Sequence, residues 1–292
     1  MKQLLILSGK GGTGKTTAAG AFIEFGRARA FADCDVDAPN LHLIAPQLPG
    51  PEKTDFWGLP KAVIDSAKCA GCGLCEKHCR FDAIENFQVN PFACEGCGVC
   101  VKLCPEGAIV MEANCSGSLM LYRNERTVFS TAQLNMGSGA SGKLVTAVRQ
   151  QLAAQAPDAD LAVIDGSPGI GCPVIASISG VDLVLIVAEP TLSGIHDMER
   201  IIAAVEHFGA SCVVCINKYD INPDLTRQVE LRCDKLHIPV IGRIPYDETV
   251  IRALNQCQSI ACYPESPAGA ALASLWERVV QLLDGQEIRK NG

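Results

Sequence analysis

Gly9-Lys10-Gly11-Gly12-Thr13-Gly14-Lys15-Thr16 follows the apolar run Leu4-Leu5-Ile6-Leu7 and precedes a helix-forming segment expected from Thr16 to about Arg29. Strand, glycine loop and helix in this order are the setting a phosphate-binding loop requires. Glycines let backbone N–H groups close around a phosphate chain, and the helix N-terminus adds positive potential. On this reading Gly11, Gly12, Thr13 and Gly14 cradle the phosphates, with Thr17 a further nucleotide contact. Lys15 reaches the β- and γ-phosphates, and the Thr16 hydroxyl binds Mg²⁺. An ordinary glycine-rich turn is the plainer alternative, and the full G-x4-G-K-T spacing argues against it.

Composition bounds what surrounds that loop. The chain has 292 residues, long enough for one large α/β domain and a small module. Hydrophobic residues make up 48% and charged residues 20%, which reads as globular. A net charge of −7 disfavours non-specific nucleic-acid binding. No apolar run is long enough to cross a membrane, and the N-terminus enters a strand without a signal-peptide pattern. Sixteen cysteines without an export signal imply reduced thiols and a cytoplasmic location.

After the first helix, Ala30 to Asp35 reads as a second strand, ending in Asp33-Cys34-Asp35-Val36-Asp37. Carboxylates at a strand tip beside a phosphate loop are placed to handle Mg²⁺ or water; a solvated Asp-rich turn is the alternative. Pro46-Gln47-Leu48-Pro49-Gly50-Pro51 has the composition of a domain boundary.

Beyond it, Cys69, Cys72, Cys75 and Cys79 form C-x2-C-x2-C-x3-C, and Cys94, Cys97, Cys100 and Cys104 repeat it 25 residues later. Gly71/Gly96, Gly73/Gly98, Ala83/Ala108 and Ile84/Ile109 keep the same offset, so the segment is an internal duplication. Thiolates at these spacings wrap a cubane cluster, and the fourth cysteine of each run ligates the other cluster. One 4Fe–4S cluster would use Cys69, Cys72, Cys75 and Cys104, the other Cys94, Cys97, Cys100 and Cys79. Zinc is the competing reading. The segment from about Phe56 to Ala113 resembles a bacterial-type two-cluster ferredoxin, with one departure: Arg80 follows Cys79 where that family usually has proline.

The chain returns through strand-like runs at Leu119–Arg123 and Thr127–Thr131, a Gly/Ser-rich loop at Asn135–Gly139, and a helix at about Ser141–Gln155. Leu161-Ala162-Val163-Ile164 is a buried strand that ends at Asp165, an acid placed to join the Mg²⁺ shell. Strands at Leu183–Ala188 and Val213–Asn217 flank an amphipathic helix at Ser193–Phe208. Asn217-Lys218-Tyr219-Asp220 read alone suggests guanine. The five histidines show no ligand spacing and read as surface or capping residues. The last helix, about Gly269 to Leu283, is read as packed on the sheet in preference to a membrane helix, despite Arg278, Arg289 and Lys290 near it; residues 285–292 are expected to fray.

The glycine loop with its early Lys10 resembles the deviant Walker A motif of the MinD/ParA family of ATPases. The resemblance implies that Lys10 reaches across a nucleotide-sandwich homodimer formed in the ATP state. It further implies that Asp35 positions the attacking water with Asp33 in support, and that Asp165-Gly-Ser-Pro-Gly is a second switch. Asn217 is implied to contact adenine, and Gly242-Arg243-Ile244-Pro245 to flank the base, so ATP is expected over GTP. Cys172 also stands at a spacing similar to the cluster-ligating cysteine of nitrogenase iron proteins. That likeness implies a further cluster shared across the dimer, with Cys115 as its second ligand, against the plainer reading of a small buried thiol.

The expected architecture is therefore α/β: a doubly wound, mostly parallel P-loop sheet with an inserted small α+β ferredoxin-like domain. Residues 1–55 and 114–292 form the ATPase domain, and 56–113 the insert. The expected function is a Mg-dependent ATPase whose dimer switch is coupled to electron transfer or metallocluster assembly on an unidentified partner protein. The alternative is a MinD-like positioning or scaffold ATPase with structural or redox-sensing clusters.

Overall fold

The computed structural model describes residues 1–285. Its elements follow one another as β1 (Lys2–Ser8), α1 (Lys15–Phe25), β2 (Ala30–Asp33), β3 (Glu52–Trp57), β4 (Lys61–Ile64), α2 (Leu74–Lys77), β5 (Ile84–Glu85), β6 (Gln88–Val89), α3 (Val99–Leu103), β7 (Ile109–Glu112), β8 (Cys115–Arg123) and β9 (Val128–Leu134). They continue with α4 (Ser141–Gln155), β10 (Leu161–Pro168), α5 (Cys172–Ile178), β11 (Leu183–Ala188), α6 (Leu192–His207), β12 (Ser211–Asn217), α7 (Pro223–Lys235), β13 (Val240–Ile244), α8 (Glu248–Asn255) and α9 (Pro267–Leu283).

A nine-stranded sheet runs in the order β13-β12-β11-β1-β10-β2-β9-β8-β3. The pairs from β13 through β9 are parallel, and β8 and β3 join antiparallel at one edge. The unbroken apolar run of β1 follows from its central position: Leu4 and Ile6 enter the core on one face, Leu5 and Leu7 the core on the other. A strand covered on both faces has no solvent side to mark with polar residues. Helices α4 to α7 cover the first core, and α1, α8 and α9 cover the second.

Helix α9 spends its apolar face on the sheet. Leu272, Leu275 and Val279 are buried, and Trp276 packs on Phe22 with ring centroids 5.2 Å apart. Arg289 and Lys290, and the fraying expected beyond Gly285, lie outside the described residues. No described helix is long and apolar enough to cross a membrane.

Residues between β3 and β8 build a small unit with a core of its own, in which Ala62, Cys75, Ala83, Ile84, Cys94 and Ile109 are buried together. Strand pairs β4–β7 and β5–β6 frame it. It rests on the loop before α4. A side chain at Gly137 would meet the Phe92 ring at 2.6 Å, and one at Gly139 would lie 3.3 Å from Glu95 Oε2.

Among the boundaries that differ from the sequence reading, three bear on the site and the insert. Helix α1 stops at Phe25, because Gly26 caps it and Arg27 takes φ 45°, so it does not reach Arg29. Strand β2 stops at Asp33, not Asp35, because that carboxylate turns the chain by accepting backbone N–H groups beyond it. Strand β3 crosses the expected domain boundary at 55/56 and pairs with β8 in the main sheet.

Candidate functional site

The phosphate loop joins β1 to α1 at the C-terminal end of the parallel strands, where ligands bind in open α/β sheets. Gly12 and Gly14 take φ of 79° and 92°, and a Cβ at Gly14 would lie 2.4 Å from Asn217 Nδ2. Glycine is therefore required at 14 by both backbone and space. Above the loop opens a cleft of about 800 Å³. Lys10, Gly11, Gly12, Thr13, Gly14, Lys15, Thr16, Thr17, Asp35, Asn217 and Pro245 all line it. Sites drawn from positions 10 to 245 thus meet in one place.

Asp165 stands beneath that cleft. Its Oδ1 accepts from Lys15 Nζ at 2.5 Å, and both side chains are buried. Burial works against the Lys15 charge, but Asp165, with Asp33 and Asp35 behind it, outweighs burial and raises the lysine above its ordinary value. Thr16 Oγ1 lies 3.4 Å from the same ammonium. Two buried polar atoms here, Asp165 Oδ2 and Thr13 Oγ1, have no protein partner. Unsatisfied groups of this kind in a cleft point to a ligand or ion that completes them.

Asp33 and Asp35 divide their work. Asp33 is fully buried; Oδ1 accepts from Asp35 N at 3.0 Å, and Oδ2 from Asn40 N and Leu41 N at 2.9 Å each. It shapes the loop that carries Asp35. Asp35 is half-buried at the cleft wall, and burial raises its carboxyl above the usual range.

Asn217 Nδ2 donates to the Thr13 carbonyl at 2.7 Å, tying the end of β12 to the phosphate loop. Asp220 is not among the lining residues; its Oδ1 accepts from Tyr246 N at 2.8 Å and so fixes the loop after Pro245. Sequence reading missed Glu189. Its carboxylate meets Lys10 Nζ at 3.2 Å and Lys218 Nζ at 2.6 Å, a triangle drawn from three strand ends that no local motif announces.

In the small unit each of the eight motif cysteines borders one of two cavities. Cys69, Cys72, Cys75 and Cys104 line the first, and Cys79, Cys94, Cys97 and Cys100 the second. The crossing arises because α2 and α3 carry the third cysteines while each fourth cysteine lies beyond its helix. Ala83 N donates to Cys79 Sγ at 3.4 Å and Ala108 N to Cys104 Sγ at 3.3 Å, one such contact per repeat. All sixteen cysteines are free thiols. Among the described residues, no three or more His, Cys, Asp or Glu side chains converge closely enough to hold a single metal ion. All five histidines are exposed.

Cys172 is exposed at the start of α5, which corrects the expectation of a buried thiol in a packed loop. The chain turns there into a short helix whose Val174 and Ile178 face the core instead. Cys115 is half-buried on β8.

A family model described as the CobQ/CobB/MinD/ParA nucleotide binding domain matches residues 4–260. The uncharacterised protein MJ0578 of Methanocaldococcus jannaschii is 30% identical over 96% of this chain and 97% of its own length. Septum site-determining MinD of Pyrococcus horikoshii, solved with Mg-ADP, superposes with a TM-score of 0.57 at 18% identity over 96% of both chains. The MinC:MinD cell-division complex of Aquifex aeolicus gives a TM-score of 0.58 at 18% identity, covering 100% of this chain and 99% of that one. These structural likenesses concern the fold.

Proposed function

The chain belongs to the CobQ/CobB/MinD/ParA family of nucleotide-binding proteins, and from that we propose that it is a Mg-dependent ATPase whose nucleotide state switches it between monomer and homodimer. One observation carries the nucleotide half of this reading: Lys15 is pinned to Asp165 under a cleft in which Asp165 Oδ2 and Thr13 Oγ1 lack partners. These residues fit a magnesium triphosphate. Thr16 and Asp165 would hold Mg²⁺, which when bound neutralises charge on the β- and γ-oxygens. Lys15 turns from Asp165 toward the phosphates, and the loop N–H groups from Gly11 to Thr16 donate to them. Asp35 orients water at the γ-end, and Lys10 extends toward the nucleotide of a second copy. Asp220 Oδ1 is taken up by Tyr246 N, which favours adenine over a guanine that this carboxylate would have to read.

The likeness to MinD-type proteins favours a positioning or scaffold ATPase, one that presents a surface to a partner only in its ATP-bound dimer. A second reading is favoured by the two cysteine-lined cavities. Four thiols around a cavity fit a cubane, whose irons sit apart, better than one zinc that draws every sulfur to about 2.3 Å. Such clusters supply one-electron chemistry when bound. On this reading the insert passes electrons to a partner or assists metallocluster assembly, in step with the nucleotide. The MinD-like reading gives the same clusters a structural or sensing role.

ATP-dependent electron transfer from the dithionite-reduced, anaerobically prepared protein to a soluble acceptor, with cluster potentials measured in parallel, separates the two. Transfer that requires hydrolysable ATP supports the coupled reading. Transfer indifferent to nucleotide leaves the scaffold reading standing.

A further inference from the structure

Glu189 is the first residue after β11, ahead of Pro190-Thr191, and β11 lies between β1 and β12 in the sheet. That order brings the Lys10 loop and the Lys218 loop to either side of one carboxylate. Glu189 Oε2 is 3.2 Å from Lys10 Nζ, and Oε1 is 2.6 Å from Lys218 Nζ. Thr191 Oγ1 accepts from Lys10 Nζ at 3.4 Å. Both lysines line the nucleotide cleft, whereas Glu189 lies behind them with its side chain 11% exposed. Lys218 holds φ 54°, a conformation that persists in a non-glycine residue when its surroundings fix it. The Lys10 ammonium is thereby folded back along its own subunit.

We propose that Glu189 is a positioning residue that parks Lys10 on its own subunit and releases it when a second copy presents polyphosphate oxygens. The inference rests on the reading of Lys10 as a group that acts across the dimer. Double pairing is what permits release. When Lys10 leaves, Lys218 still compensates the buried carboxylate, so no charge is stranded. A triphosphate carries more negative charge than a single carboxylate and outcompetes it for the ammonium. A diphosphate does so less well, which gives the latch a sense of nucleotide state.

The test labels nucleotide-free protein with an amine-reactive acylating reagent and reads Lys10 by mass spectrometry. Glu189→Gln should raise Lys10 acylation roughly two- to fivefold, the range open to a partly exposed ion pair. Its dimerisation midpoint in ATP should fall by a similar factor. Glu189→Asp keeps the charge but withdraws it by one methylene, so it should give an intermediate value and serves if the Gln variant does not fold. Unchanged Lys10 acylation in both variants overturns the proposal. So does a Lys218→Met variant that by itself reproduces the shift in midpoint, because the effect then runs through Lys218. A wild-type protein that never dimerises in ATP would defeat the dimer reading alone; the labelling of the monomer still decides whether Glu189 parks Lys10.

Discussion

Asp33 and Asp165 are register partners on the adjacent parallel strands β2 and β10, and both are fully buried. Side chains at paired positions of parallel strands point to the same face. Two acids are therefore placed together under the nucleotide cleft, with Lys15 bonded to one of them. Burial, and then Asp165, pushes the Asp33 carboxyl from 3.8 up to about 7.

Between those two values the folded protein keeps a proton that the unfolded chain has released. This group's stabilisation is then complete below about pH 4 and is lost as pH rises to about 7. Relative to Asp33→Asn, the nucleotide-free wild type should lose stability across that window by up to about 1.4 kcal/mol per pH unit. Urea titrations of both proteins at several pH values check this. A difference that stays flat with pH contradicts the assignment.

Lys15→Ala removes the cation from a buried pair and leaves Asp165 uncompensated. Breaking such a pair typically costs about 3–5 kcal/mol. Chemical denaturation should show a loss of that order, and titration with a fluorescent ATP analogue should show no saturable binding. Full binding by a folded Lys15→Ala protein would exclude the phosphate-loop assignment.

How much of this was readable in advance depends on which forces wrote the sequence. Strand β1, the loop at Gly9–Thr16 and helix α4 announce themselves, because burial and phosphate binding each impose a local pattern. Strand β3 does not. Glu52-Lys53-Thr54-Asp55-Phe56-Trp57 is an edge strand largely open to water, so no apolar alternation marks it, and only its pairing with β8 defines it. The start of β8 was hidden for the opposite reason: Ser116 and Gly117 are buried but carry no hydrophobic signal. Helix α7 buries only Thr226, Val229 and Cys233, and its Leu231 faces water, so its apolar positions do not mark a single inner face. Within the site, the motif residues were legible and their supports were not. Glu189 and the Asp33 loop act through contacts that form only once distant strand ends are neighbours.

Asp35→Ala removes the carboxylate expected to orient water while leaving the phosphate contacts in place. Hydrolysis should fall by roughly 10²- to 10⁴-fold with ATP affinity nearly unchanged. The variant should accumulate as an ATP-bound dimer. Rapid-filtration binding and phosphate release on the same preparation check this, and a parallel loss of both would move Asp35 from chemistry to binding.

Anaerobically prepared protein should hold about eight iron and eight sulfide per chain without stoichiometric zinc. The crossed cavities add a sharper expectation. Cys104→Ala should disturb the cluster of Cys69, Cys72 and Cys75, and Cys79→Ala the cluster of Cys94, Cys97 and Cys100. Electron paramagnetic resonance of each variant, compared with Cys75→Ala and Cys100→Ala, shows which pairs match. Two zinc per chain would remove the clusters from the account. Cys172→Ala should leave the iron count unchanged; a fall from about ten to about eight would instead establish a cluster shared across the dimer.

The central claim is that nucleotide governs association through a lysine acting on the other subunit. Static light scattering with and without MgATP, run beside an ATP-binding titration for wild type and Lys10→Ala, tests it most directly. The wild type should double in mass when ATP is added. Lys10→Ala should bind ATP yet keep the mass of one chain and release no phosphate. A Lys10→Ala protein that doubles in mass and turns over like the wild type would contradict the account.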